Sequence, residues 1–251
     1  MRANDFSPEL RTKIIRCVED AVRDDILADI QHHNLRTTNS VPTRVWDLLN
    51  TNLARELETE ECTIAEAHRG PWQMLIIFER TTQCILTFMR EKRFAELHRL
   101  QRHRKNMHYL DMLTKQFNKE LLVDQQQLAL FPHTFSDENK LPQLIQTLLH
   151  DLEDEIPVVR NHVLILFETA GYQLLSIRAV KVTPSLDIAQ DGYQDWSEYI
   201  SSNVSVVVEK VVHSDAPENQ PNRGLKLKSK AIERQKRAIQ RKDLQKDEAQ
   251  S

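Results

Sequence analysis

Hydrophobic positions along this chain recur with two different periods, and the alternation between them lays out the elements. Ser7-Pro8-Glu9 supplies a cap, a first-turn proline and an acid at the positive end of a helix. Leu10, Ile14, Val18, Ala21, Val22, Ile26 and Ile30 then fall three or four apart, which predicts one amphipathic helix ending near His32-His33. There the helix dipole favours cations, so capping explains the two histidines better than metal ligation. After the polar loop Thr37–Ser40, Pro42 opens a second helix with Val45, Leu48, Leu49, Leu53 and Leu57 on one side.

The period then changes from near four to two. Cys62 to His68 alternates and reads as a strand, and Arg69-Gly70-Pro71 leads into the apolar run Met74-Leu-Ile-Ile-Phe78. The polar turn Glu79–Gln83 and the run Cys84-Ile-Leu-Thr-Phe-Met-Arg90 complete a predicted antiparallel unit of three strands. Helical spacing returns with Phe94, Leu97 and Leu100, and again with Leu110, Leu113, Phe117 and Leu121. A polar stretch, Asp124 to Asn139, separates these from an amphipathic helix carrying Leu141, Leu144, Ile145, Leu148 and Leu152, which Pro157 stops.

A second hairpin echoes the first. Val163-Leu-Ile-Leu-Phe167, the turn Glu168–Tyr172 and a return strand through Ala179-Val-Lys-Val182 repeat the order apolar run, turn, strand. Pro184 to Tyr199 reads as a turn-rich excursion, and Val204 to Val212 as a final strand. The pattern predicts an α+β fold, with antiparallel sheet built from two apolar hairpins and flanked by amphipathic helices. The expected division is 1–123, a linker at 124–139, a second half at 140–213, and a tail at 214–251.

Charge refines the picture at the tail. The chain has 251 residues and a net charge of −3, yet residues 215–251 carry ten Lys/Arg against six Asp/Glu. The preceding 214 residues are therefore acidic, at a net −7. Arg223 to Lys242 has nine basic residues, one acidic and no aromatic, so it cannot repay ordering by burial and is expected to be disordered or a marginal, solvated helix. Three cysteines without metal or redox spacing, no signal-like amino terminus and no apolar run of membrane length point to a cytoplasmic protein without a membrane partner.

Motifs exclude more chemistry than they assign. Four glycines form no phosphate loop, no Gly-x-Ser-x-Gly elbow occurs, and no histidine pair has the spacing of a zinc protease. No cofactor and no metal is expected; strand-end Glu79 and Glu168 would need converging partners to hold Mg²⁺. The densest cluster is Arg90 to His108, with seven Lys/Arg and three histidines. Arg90, Arg93, Arg99, Arg102 and Arg104 are candidate phosphate contacts, and His103, His108 and Glu91 are candidate acid–base groups for RNA cleavage. A solvated helix face accounts for the same residues. At the hairpin end, Arg69 and Trp72 lie beside Arg90 and Arg93 as a candidate groove for an anionic or aromatic ligand, with core packing as the alternative for Trp46 and Trp72.

Three segments carry a resemblance: Val41-Pro-Thr-Arg-Val-Trp-Asp-Leu-Leu-Asn-Thr-Asn52, Arg69-Gly-Pro-Trp72 and Phe88-Met-Arg-Glu-Lys-Arg-Phe94. Over roughly residues 38–122 the chain resembles an uncharacterised bacterial family found beside helix-turn-helix regulators with a metallopeptidase-like domain, in toxin–antitoxin or phage-defence loci. The resemblance implies a toxin-like effector with a cognate protein partner, an antitoxin or regulator, and it implies no residue roles. Nucleic-acid binding or RNA cleavage by residues 90–108 is the alternative expectation, and a non-toxic protein-binding module the second.

Overall fold

In the computed structural model, residues 6–69, 72–121 and 134–201 are described, and all of them fall within one compact unit. Ser7 accepts a hydrogen bond from the Leu10 amide at 3.1 Å and so starts α1, Pro8–Val22. The single long helix expected here is two. Arg23 leaves helical geometry (φ −122°, ψ −77°), and α2, Asp24–His32, begins anew with two acids in its first turn, where the helix dipole favours them. Helix α3, Val41–Leu57, has Pro42 in its opening turn.

Six strands follow in two groups of three. β1 is Cys62–Arg69, β2 Trp72–Glu79 and β3 Cys84–Arg90; after helices α4 (Glu91–Leu100), α5 (Tyr109–Phe117) and α6 (Leu141–Leu148) come β4 (Asn161–Ala170), β5 (Gln173–Val182) and β6 (Ile188–Asp195). They form one sheet in chain order, antiparallel at every junction except β3–β4, which is parallel with Cys84 opposite Asn161 and Arg90 opposite Phe167. The parallel junction needs a long crossover, and α4–α6 provide it.

Helices cover both faces. Val163, Ile165 and Phe167 pack with Leu86, Ile177 and Ala179 against α1–α3, through Ile14, Val18, Leu49 and Leu53. Leu164 and Leu166 turn the other way and meet Phe94, Leu97, Leu110, Leu113 and Ile145 of α4–α6. A strand buried on both faces must be apolar at every position, which is why the two runs are unbroken rather than alternating.

The two hairpins nevertheless occupy unlike places. β2 lies between two antiparallel neighbours, whereas β4 has β3 parallel on one side and β5 antiparallel on the other. Their similarity therefore reflects a shared demand for burial, not equivalent positions in the topology. The polar excursion expected at Pro184–Tyr199 contains β6, the last strand of the sheet among the described residues. The expected strand Val204–Val212, the tail 214–251 and most of the expected linker lie outside the described residues. Of that linker, residues 134–139 are described and are tied to the preceding turn: Phe135 is buried, Ser136 donates its amide to the Lys105 carbonyl at 2.8 Å, and the Asp137 carboxylate accepts from the Met107 amide at 2.9 Å.

Buried polar groups tie the helices to the sheet. Asn118, just after α5, donates Nδ2 to the carbonyls of His162 and Val182, both at 2.9 Å, and accepts the His162 amide at 2.8 Å. It thereby substitutes for ladder bonds at the start of β4 and the end of β5. His162 is itself buried, with Nε2 2.8 Å from the Thr87 hydroxyl on β3.

Candidate functional site

The Arg90–His108 segment divides into a structural part and an exposed part. Asp111, fully buried in the first turn of α5, takes both terminal nitrogens of Arg104, the second at 2.9 Å, and the His108 amide at 2.7 Å. His108 is 3 % exposed, and its Nδ1 accepts the Leu110 amide at 3.2 Å. An accepting Nδ1 leaves the ring proton on Nε2, so His108 is a neutral cap of α5. Arg104 and His108 thus hold the fold, and neither is presented to a substrate from solution. Asp111 was not evident as a site from the sequence, although His108-x-x-Asp111 has the spacing of a reciprocal helix cap.

Glu91 is also engaged, with its carboxylate on the Arg178 guanidinium of β5 (Oε2 to Nη2, 2.8 Å). Arg93 pairs with Glu96 one turn on, and His98 Nε2 lies 3.0 Å from Asp187. Of the three acid–base candidates, Glu91 is held by Arg178, His108 is buried as a helix cap, and His103 is exposed. What remains on the surface is Lys92, Arg99, Arg102, His103 and Lys105, which make no ion pair among the described residues. Phe94 and Leu97 anchor one side of α4 in the core and so leave Lys92 and Arg99 on the opposite side; Arg102 and His103 stand in the short turn Gln101–His103 that follows, and Lys105 just beyond it.

The second cluster stands where β2 begins and β3 ends. Antiparallel pairing brings Arg69 opposite Trp72, and Arg90 closes β3 at the same end of the hairpin. β2 and β3 pair only from Ile77–Leu86 to Glu79–Cys84, near their turn, so the strands part toward this end. Trp46 of α3 joins the residues: its ring meets Phe167 at 5.6 Å and Trp72 at 6.3 Å, both edge-on, and the Arg90 guanidinium lies 6.0 Å from its centroid. Trp46 is half-buried against the core while Trp72 remains 41 % exposed. Arg90 is half-buried, its Nε sealed without a hydrogen-bond partner among the described residues, and burial pulls its pKa below the ordinary arginine value. Arg93 turns to Glu96 and does not join the cluster.

Two further regions bear on chemistry. An open groove of about 850 Å³ between β1 and α6 is lined by Glu66, His68, Gln146, His150, Asp151 and Glu153. Among the described residues no group of three or more His, Cys, Asp or Glu side chains is arranged to hold a metal ion, and no helix is long and apolar enough to cross a membrane. Glu79, weighed as a metal ligand, instead closes its turn, accepting the amides of Thr81 at 2.9 Å and Thr82 at 2.7 Å. Glu168 is exposed on β4.

Residues 4–246 match the family model of DUF5986, described as a family of unknown function, and the chain belongs to that family. No curated protein and no solved structure matches it.

Proposed function

Starting from membership in a family to which no activity is assigned, we propose that the protein works by binding single-stranded nucleic acid along the exposed side of α4 and the turn that follows it. The observation that carries the reading is the set Lys92, Arg99, Arg102, His103 and Lys105, exposed and without carboxylate partners among the described residues. Residues 1–214 are acidic overall, so this local excess of positive charge concentrates attraction for phosphates on one short stretch of the chain. Binding rather than cleavage is favoured because His108 and Arg104 are committed to Asp111 and α5.

The test is binding of a labelled single-stranded RNA across a salt series. Replacing Arg99, Arg102 and Lys105 with Gln should weaken binding and lower the salt slope by about two units, at about 0.7 for each cation removed. Arg104 is left intact, because its removal would strand buried Asp111. Absence of binding at low salt, or equal binding by the triple variant, defeats the reading.

A toxin-like effector role, paired with a cognate antitoxin or regulator in the cytoplasm, is the second reading. It draws support from the exposed indole of Trp72, inside the segments that carry the resemblance, since exposed aromatic anchors suit protein partners. Three buried thiols in no disulfide fit a reducing compartment. Growth arrest on expression, relieved by the adjacent gene, supports it; unimpaired growth removes it.

A further inference from the structure

Three partly buried arginines pair with a carboxylate, and Arg90, which burial desolvates, does not. Arg44 closes on Asp29, Arg104 on Asp111 and Arg178 on Glu91, so each of these partly buried guanidiniums carries its counter-charge with it. Arg90 makes no ion pair and no side-chain hydrogen bond among the described residues; its neighbour there is the Trp46 ring. Desolvation acts on it without an opposing carboxylate. A half-buried cation in that condition is costly, and an anion arriving from solution relieves the cost.

The surroundings narrow the kind of anion. Nε is sealed, but the two terminal nitrogens are not among the sealed atoms, so a guanidinium edge remains for an incoming oxyanion. Trp72, next to Trp46, offers an indole surface to solvent at the same end of the sheet. Arg90 and Trp72 flank the same ring, which places a charge anchor and a stacking surface together.

We propose that Arg90, Trp46 and Trp72 form a binding site for an oxyanion carried on a planar ring, with a nucleoside monophosphate as the ligand class. The phosphate pairs with the Arg90 guanidinium and the base stacks on Trp72, while Trp46 holds both groups in place. Arg90 lies at the amino end of α4, but it is not one of the cations replaced in the RNA-binding test, so the two kinds of binding can be told apart by different variants. A free nucleotide and the 5′-phosphate end of an RNA present the same chemistry, and the assay includes both.

The experiment is titration of the full chain with adenosine 5′-monophosphate, adenosine, inorganic phosphate, and a short RNA with and without a 5′-phosphate, read by tryptophan fluorescence. Of the three tryptophans Trp196 is fully buried, so quenching reports Trp46 and Trp72. The monophosphate should bind more tightly than adenosine or phosphate alone. Arg90→Gln should weaken it by roughly ten- to hundredfold, Arg90→Lys by less, and Trp72→Ala should erase the preference for monophosphate over phosphate. In the absence of ligand, Arg90→Gln should melt no lower than the parent, because it removes an uncompensated charge. Tighter binding of 5′-phosphorylated than 5′-hydroxyl RNA, abolished in Arg90→Gln while the salt-dependent component persists, would identify an RNA end as the source. No monophosphate binding at millimolar concentration, binding indifferent to Arg90→Gln and Arg90→Lys, or a large destabilisation by Arg90→Gln in the free protein overturns the proposal.

Discussion

His162 should make the protein acid-sensitive in a way that one substitution removes. It sits at the start of β4, wholly buried, with Nε2 on the Thr87 hydroxyl and Nδ1 without a partner among the described residues. Burial pushes its pKa down from the ordinary 6.5 to about 3, because charging the ring there means burying a cation. The unfolded chain binds a proton near pH 6.5 and the folded chain only near pH 3. Stability from this group is therefore complete above pH 6.5 and falls away progressively as pH drops toward 3. At pH 5 the loss is about 2 kcal/mol, and near pH 3 it approaches about 4–5 kcal/mol. Urea unfolding of the parent and of His162→Gln at pH 8, 6 and 5 measures it, since glutamine keeps a polar partner for Thr87 but does not titrate. Carboxylate contributions common to both proteins cancel in the difference. Between pH 8 and pH 5 the parent should lose about 2 kcal/mol more than the variant. Parallel pH profiles would refute the reasoning, because they would mean that His162 charges as readily in the fold as outside it.

Asp111→Ala should cost about 3–5 kcal/mol in chemical denaturation, since it leaves the Arg104 guanidinium without its carboxylate and the His108 amide without its acceptor, and Arg104→Met on that background should recover part of the loss. Gly192→Ala should destabilise by about 1–3 kcal/mol, because the new Cβ would stand 2.5 Å from Lys181 Cβ on the neighbouring strand; thermal melting measures it. Gly171→Ala, at φ +56° in the β4–β5 turn with open space around it, should cost about 1 kcal/mol in the same assay through backbone conformation alone. Cys17 and Cys62, buried and pushed up to about 12 and about 11, should resist a thiol reagent at pH 8 until denaturant unfolds the protein.

Apolar runs were legible wherever burial demands them. Met74–Phe78 and Val163–Phe167 lie in β2 and β4 because a strand covered on both faces has no polar positions to conceal it. β6 is not legible for the converse reason: Ile188-Ala-Gln-Asp-Gly-Tyr-Gln-Asp195 ends the described sheet with a single buried residue, and its composition is that of a loop. The break at Arg23 was hidden because Val22 and Ile26 keep helical spacing across it. Parallel pairing of β3 with β4 left no trace in either strand, since residue type records burial and not the direction of a neighbour. In the candidate site, the exposed cations of α4 followed from helical periodicity, while the committed roles of Arg104 and His108 depended on Asp111, whose burial no spacing disclosed. Trp46 and Arg90 meet through tertiary packing between α3 and β3, 44 positions apart in the chain.

The parallel seam has a consequence for how the protein is made. As the chain leaves the ribosome, β1, β2 and β3 emerge in order, each able to pair with the one before. The far edge of β3 must then wait for β4, which is completed only after Ala170 has been synthesised. Throughout that interval an apolar strand presents unpaired amides and carbonyls, the arrangement most prone to capture by another chain. The lag is written into the topology and not into any local weakness, so the nascent protein should depend on chaperones far more than the finished fold does.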